Sequence, residues 1–194
     1  MIRITVLLLT LLFATHSAAD VDLVRSTDTK WKFSVDRPKS WSIQPNPNTA
    51  IRFMFGIEQE GYGGNCNVGV IPSSSTKKLN QNQVDSSENR RILTPVFFRT
   101  ALKGIASDVE ILSVKQLQRG NHWGHLVEYT YSYDEPSINI RVYMHNEMFS
   151  HSRPGSVFTF TCVLGTTSRL SSAAAFKKER AKFQRLTASL RVDP

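Results

Sequence analysis

The chain has 194 residues, 40% hydrophobic and 21% charged, with 10 glycines, 8 prolines and 2 cysteines. That composition excludes a disordered, collagen-like or disulfide-dense chain and describes an ordinary globular protein. Lysine and arginine number 24 against 16 acids, a formal net charge of +8, which favours acidic partners or anionic surfaces but specifies none of them.

Residues 1–19 read as a secretory signal. Arg3 supplies a short positive region, residues 4–13 an apolar run interrupted only by threonines, and Ser17 and Ala19 the small residues before a cut ahead of Asp20. The run is shorter than the ~20 residues of a comfortable membrane span. If it stayed uncleaved it would act as an N-terminal anchor. Cleavage removes Arg3 and leaves 23 minus 16, or +7, on 175 residues (194 minus 19), which suits one domain over 20–194. The mature chain is therefore expected in the periplasm or secreted, soluble and without stable membrane insertion.

Alternation over 31–36, with Trp31, Phe33 and Val35 on one side, predicts a strand. Pro38 then turns the chain into a second strand through Trp41 and Ile43. Residues 50–58, dense in Ile, Phe and Met, and 65–71 predict two more, joined through the Gly61, Gly63 and Gly64 cluster. The polar, turn-rich stretch 73–83 is the expected mobile loop. A helical region follows over 84–106, with Thr94 and Pro95 suited to open its second part and Val96, Phe97, Leu102 and Ile105 able to share a broad face. Strand patterns resume at 109–117, 123–133, 138–148 and 157–164. A closing helix over 170–190 puts Phe176, Phe183, Leu186 and Leu190 on one side and Lys177, Lys178, Glu179 and Arg185 on the other. Hairpin-length connections between strands and an apolar helix stripe predict the α+β class: an antiparallel sheet of seven or eight strands sandwiched by helices.

Two segments resemble a known family. Phe33-Ser-Val-Asp-Arg-Pro-Lys-Ser-Trp41 resembles the opening of the PsbP-like fold, shared with the Mog and DcrB proteins. Phe183-Gln-Arg-Leu-Thr-Ala-Ser-Leu-Arg-Val192 resembles that fold's closing helix and final extended stub. The resemblance implies a central antiparallel sheet with helices against it. It also implies a family whose members mostly bind or help assemble other proteins, and no catalytic residue carries over. Nothing in the N-terminus resembles a plastid transit peptide, so a bacterial periplasmic relative is the closer picture.

The residues that bear chemistry are few. His122 and His125 lie in His-Trp-Gly-His, a spacing that puts them on opposite faces of a strand and lets them share a metal only if Gly124 bends the chain. His145, Glu147 and His151 alternate in phase, with spacing too wide for one ion, and are expected as solvated strand-edge residues. No metal site, cofactor or catalytic set is predicted: Gly61-Tyr-Gly-Gly64 lacks the lysine of a phosphate loop, and no serine sits in a Gly-x-Ser-x-Gly elbow. Cys162 is in phase with Phe158 and Phe160, and Cys66 with Val68 and Val70, so both point inward and are candidates for a disulfide; the alternative is two buried thiols. Lys177, Lys178, Arg180, Lys182 and Arg185 spread around the polar arc of the closing helix as a solvated face rather than a nucleic-acid or membrane patch. Trp123, Tyr129, Tyr131 and Tyr133 form an in-phase stripe on one strand, read either as a partner-binding surface or as packing beneath a helix. The sequence thus predicts an exported, non-catalytic binding or accessory protein that acts on a protein partner, either an envelope assembly factor or a toxin-immunity protein. The alternative is a periplasmic hydrolase or metal-dependent enzyme.

Overall fold

The computed structural model describes residues 22–43, 50–59, 61–119 and 121–192, and the expected signal segment lies outside the described residues. Among the described residues nine strands form two antiparallel sheets. Strands β1 (Leu23–Asp28) and β2 (Phe33–Pro38) pair with each other, and the C-terminal β9 (Arg191–Val192) pairs with β2. The larger sheet holds β3 (Ile51–Gln59), β4 (Tyr62–Pro72), β5 (Glu110–Arg119), β6 (His122–Glu135), β7 (Ile140–Arg153) and β8 (Ser156–Thr166), in the order β3-β4-β8-β7-β6-β5. Helices α1 (Gln81–Val84) and α2 (Pro95–Leu102) precede β5, and α3 (Arg169–Ala188) follows β8. The class is α+β, as the sequence predicts, but the strands divide between six and three instead of forming one sheet.

One strand goes unread in the sequence and one expected strand does not form. β1 escapes the alternation rule because it mixes polar and apolar residues on both faces. As an edge strand it is held by its ladder to β2 and by Arg25, whose guanidinium donates to both carboxylate oxygens of Asp36 at 2.8 and 3.1 Å. The strand expected through Trp41 and Ile43 does not form. The Trp41 amide instead donates back to Pro38 O at 3.0 Å and its ring enters the core, while Ile43 makes only an isolated bridge to Phe55.

The stretch expected as one helical region is broken three ways. α1 passes into a π-helical turn, Asp85–Asn89, and α2 begins only at Pro95. Asn89 explains the break. It is buried, and its amide both donates to Ser152 O at 2.8 Å and accepts from Ser152 N at 2.7 Å. It serves as a strand partner for β7 at a position beyond His125–Ser150, where the β6 pairing ends. Thr94 caps α2, accepting from Phe97 N at 3.3 Å, with Pro95 in the first turn as expected. The buried face, however, is Phe98 and Leu102; Val96, Phe97 and Ile105 point outward. Eight residues allow only one i, i+4 pair to face the sheet, and Ile105 lies past the helix end. The 73–83 segment is tied down, with Thr76 Oγ1 donating to Arg153 O at 2.8 Å and accepting from Gly155 N at 3.2 Å.

α3 covers one face of the large sheet. Ser168 caps it through Ser171 N, and Phe176, Phe183 and Leu186, with Leu190 just past the C-cap, bury against β7, β8 and β2. Phe33 meets Phe158 edge-on at 5.9 Å, so the small sheet closes the same core. A second apolar cluster, containing Phe98, Leu102, Val127, Tyr129 and Met148, lies under α2 on the opposite face. Gly124 is required by close approach: a Cβ there would lie 2.3 Å from Ser150 O and 2.8 Å from the Phe149 ring. No helix among the described residues is long and apolar enough to cross a membrane.

Candidate functional site

The ionisable groups gather under α3. Because side chains alternate along a strand, β6 sends Glu128 and β7 sends His145, Glu147 and His151 to this face. These histidines were expected at a solvated strand edge. They are buried instead, because β7 is an interior strand between β6 and β8 and α3 lies across it.

Glu128 organises the group. His145 Nε2–H donates to Glu128 Oε1 at 2.8 Å, and the Arg180 guanidinium reaches the same oxygen from α3. The His145 ring stacks on Phe176, centroids 4.0 Å apart and 12° from parallel. Burial pulls the His145 pKa below its usual value, opposed by Glu128 and aided by Arg180. Directly across from Glu128 stands Glu147, 2% exposed. Burial pushes its carboxyl above the usual range and the Glu128 charge adds to this, while Arg119, a hydrogen bond from Gln184, and Arg180 oppose it. Burial likewise lowers Arg119, whose Nη1 donates to Gln184 O at 2.8 Å and whose guanidinium lies 5.7 Å from the Phe149 ring centre. His145 Nδ1, Glu147 Oε1, Arg119 Nε and Arg180 Nε are all buried without a hydrogen-bond partner. Two acids, two arginines and one imidazole thus meet beneath the helix. With His145 5% and Glu147 2% exposed, no substrate reaches them unless α3 lifts. Their evident chemistry is to tie α3 to the sheet.

The remaining histidines are also engaged. His122 and His125 point to opposite faces, as the spacing predicts. His125 donates from Nε2 to Arg91 O at 2.8 Å on the α2 side, and His122 Nε2 accepts the Val192 amide at 3.3 Å on the α3 side. His151 lies 4.6 Å from the His122 ring and donates from Nδ1 to Trp123 O at 2.7 Å. Burial drives its pKa down to about 4, only partly offset by that hydrogen bond. Among the described residues no group of three or more histidine, cysteine or carboxylate side chains converges as metal ligands do.

Cys66 and Cys162 stand directly opposite each other on β4 and β8 and are joined by a disulfide, with Cα atoms 4.0 Å apart. The aromatic stripe on β6 divides. Tyr129 is buried in the α2 cluster, Tyr131 packs against it, and Trp123 is half-buried with the Arg90 guanidinium 4.9 Å above its ring. Only Tyr133 of the four is exposed, so as a surface platform the set is corrected: Tyr129 and Tyr131 pack with Phe98 and Leu102 of α2, and Trp123 lies beneath Arg90. On α3, Glu179 was expected to face solvent but is buried, accepting from the Tyr62 hydroxyl at 2.7 Å and from Lys182.

Sequence reasoning missed Glu128 and Arg119 and read Arg180 as part of a solvated face, whereas it pairs with Glu128. The available signal was Glu128 itself, a charge on the opposite face of β6 from the tyrosines, in phase with Leu126.

No family model matches the sequence, and no curated protein matches it. Among solved structures the chain is similar to cyanobacterial PsbP (CyanoP) from Synechocystis, at 15% identity and a TM-score of 0.54, over 94% of this chain and 99% of that one. It is also similar to the Ran-binding protein Mog1p of Saccharomyces cerevisiae, at 10% identity and a TM-score of 0.48, over 89% and 96% of the two chains. LpqN, involved in cell envelope biogenesis of Mycobacterium tuberculosis, follows at 8% identity and a TM-score of 0.47, over 89% and 91%. The likeness to PsbP, over nearly the whole of both chains, shows that the two-sheet α+β arrangement closed by α3 and its β9 stub is a PsbP-like fold.

Proposed function

We propose that the chain is an exported, non-catalytic binding or accessory protein that acts on a protein partner in the periplasm or cell envelope, as an assembly factor or a toxin-immunity protein. The signal-like residues 1–19 support export. The observation that carries the binding reading is the outer side of α2 and the segment leading into it, where Val96, Phe97 and, before the helix, Ile92 are 67, 44 and 86% exposed. The fold makes little use of these large apolar side chains, and Arg91 lies over the Phe97 ring at 5.8 Å. Apolar anchors beside arginine are the composition of protein-binding hot spots. Mog1p, named as a Ran-binding protein, offers a precedent for partner binding on a related scaffold.

Crosslinking and co-purification from the native envelope fraction test it. The wild-type mature chain should retain a partner that Val96→Asp/Phe97→Asp loses at an unchanged Tm. Equal recovery by the two proteins would remove α2 as the surface, and recovery of no partner by wild type would remove the binding reading. A second reading, a hydrolase or metal-dependent enzyme, rests on the Glu128, His145 and Glu147 grouping; a broad hydrolase screen and metal analysis of the purified mature protein test it.

A further inference from the structure

The outer side of α2 is basic as well as apolar. Over residues 90–107 the chain has four cations, Arg90, Arg91, Arg99 and Lys103, and no acid. Two of them are engaged: Arg90 lies over the Trp123 ring, and Arg91 pairs with Glu88 at 3.5 Å and lies over Phe97. Arg99 and Lys103 are exposed and pair with no acid among the described residues. Asp108, the next acid in the chain, accepts from Ser132 N at 3.1 Å and faces Arg141 at 3.5 Å. Helical spacing puts Val96, Arg99 and Lys103 along one line, three and four residues apart, with Phe97 beside it. The Phe97 ring meets that of Phe98 edge-on at 5.2 Å, and Phe98 is buried against the sheet, so Phe97 is fixed in place. Ile92, before the helix, and Ile105, after it, add exposed apolar surface.

We infer that the outer side of α2 docks an acidic amphipathic helix of a protein partner. Apolar side chains of that helix cover Val96 and Phe97, and carboxylates along its flank answer Arg99 and Lys103. The two turns of α2 present ridges at i, i+3 and i, i+4 spacing, and a second helix is the element whose ridges fit between them. A ring fixed before binding loses little rotamer freedom on docking, which suits an anchor for a protein; a fluid bilayer gains nothing from it. Charge-assisted contacts beside partly desolvated apolar groups weaken as salt rises. This inference rests on the protein-partner reading and names the chemistry of the partner's surface.

The probe is the blocked peptide Glu-Leu-Leu-Glu-Glu-Leu-Leu-Glu-Glu-Leu-Leu-Glu, titrated into the full mature chain while the backbone amide signals are followed by NMR. Saturable shifts centred on residues 92–105 are expected, with affinity falling as salt rises and at least tenfold lower in Arg99→Glu/Lys103→Glu. Both side chains are exposed, and an unchanged Tm reports an intact fold in the variant. No saturable shift, shifts centred elsewhere, equal affinity in the variant, or equal binding of the peptide with lysine in place of every glutamate overturns the inference. Binding to phosphatidylglycerol vesicles that Arg99→Glu/Lys103→Glu abolishes, with no response to the peptide, assigns α2 to a membrane surface and overturns it too. A partner recovered equally from the native envelope fraction by wild type and by Arg99→Glu/Lys103→Glu removes the charge matching and leaves the binding reading standing.

Discussion

Glu128 on β6 and Glu147 on β7 are direct cross-strand partners on the face that α3 covers. Two carboxylates so placed repel each other unless cations intervene, and here Arg180 pairs with Glu128, which also accepts a hydrogen bond from His145, while Arg119 faces Glu147. Glu128→Ala leaves Arg180 and His145 without their acceptor. Because Glu128 is not fully buried, the expected loss is about 2 kcal/mol, below the range for a wholly buried pair. Urea unfolding measures it against Lys177→Ala, an exposed control expected within about 0.5 kcal/mol of wild type. A Glu128→Ala loss no larger than the control's would show that the apolar stripe alone holds α3.

His151 makes stability depend on pH. Its folded pKa of about 4 lies below the unfolded value near 6.5, so the fold favours the neutral ring. The contribution is complete above about pH 6.5 and is lost as pH falls through 4, a total of about 3 kcal/mol. His145 and His125 are lowered too and act in the same sense, whereas the raised Glu147 acts in the opposite one. In His151→Asn the amide keeps a donor for Trp123 O, and the drop in unfolding free energy between pH 7 and pH 4 should shrink by about 2–3 kcal/mol. An unchanged drop would show that the ring is solvated.

Phe183 is fully buried between α3 and the sheet, its ring 5.5 Å from that of Phe176. Truncation leaves a cavity as well as lost contacts, so Phe183→Ala should destabilise by about 3–5 kcal/mol. Denaturant midpoints decide the matter, and a loss under about 1 kcal/mol would place that side of α3 in solvent.

The Cys66–Cys162 bridge spans a sequence separation of 96. In the chain-entropy account a loop of that size is worth about 4.7 kcal/mol to the fold. The unfolded, unreduced mature protein should show no free thiols, and Cys66→Ser/Cys162→Ser should lose stability of that order. Two titratable thiols per chain would show that the bridge does not form.

Near-neighbour rules made much of this protein legible. Thr94 and Pro95 open α2 because a cap acts within three residues, and Phe176, Phe183 and Leu186 bury because helical periodicity is a local property. Alternation placed His122 and His125 on opposite faces and turned Cys66 and Cys162 inward for the same reason. The division into two sheets, by contrast, turns on β9 closing against β2 from the far end of the chain. Val96 and Phe97 do not share the buried face of Leu102, because the sheet, not the helix, selects which side of α2 is covered.

The sequence by itself determined the α+β class, the closing helix with its apolar stripe and which residues of a strand share a face once that strand forms. Those follow from dihedral preferences and periodicities that operate over a few residues. The tertiary structure alone decided that Glu128 meets His145 from 17 positions away and Arg180 from 52, and that Asn89 finishes a ladder on β7 from 63. It also decided that the histidines of β7 are buried. β7 is covered by α3 on one face and faces the α2 side on the other, so polar and apolar residues occur on both faces and no alternation marks them. Charge pairing under α3 is set by which strands become neighbours, and that depends on chain closure across the whole molecule.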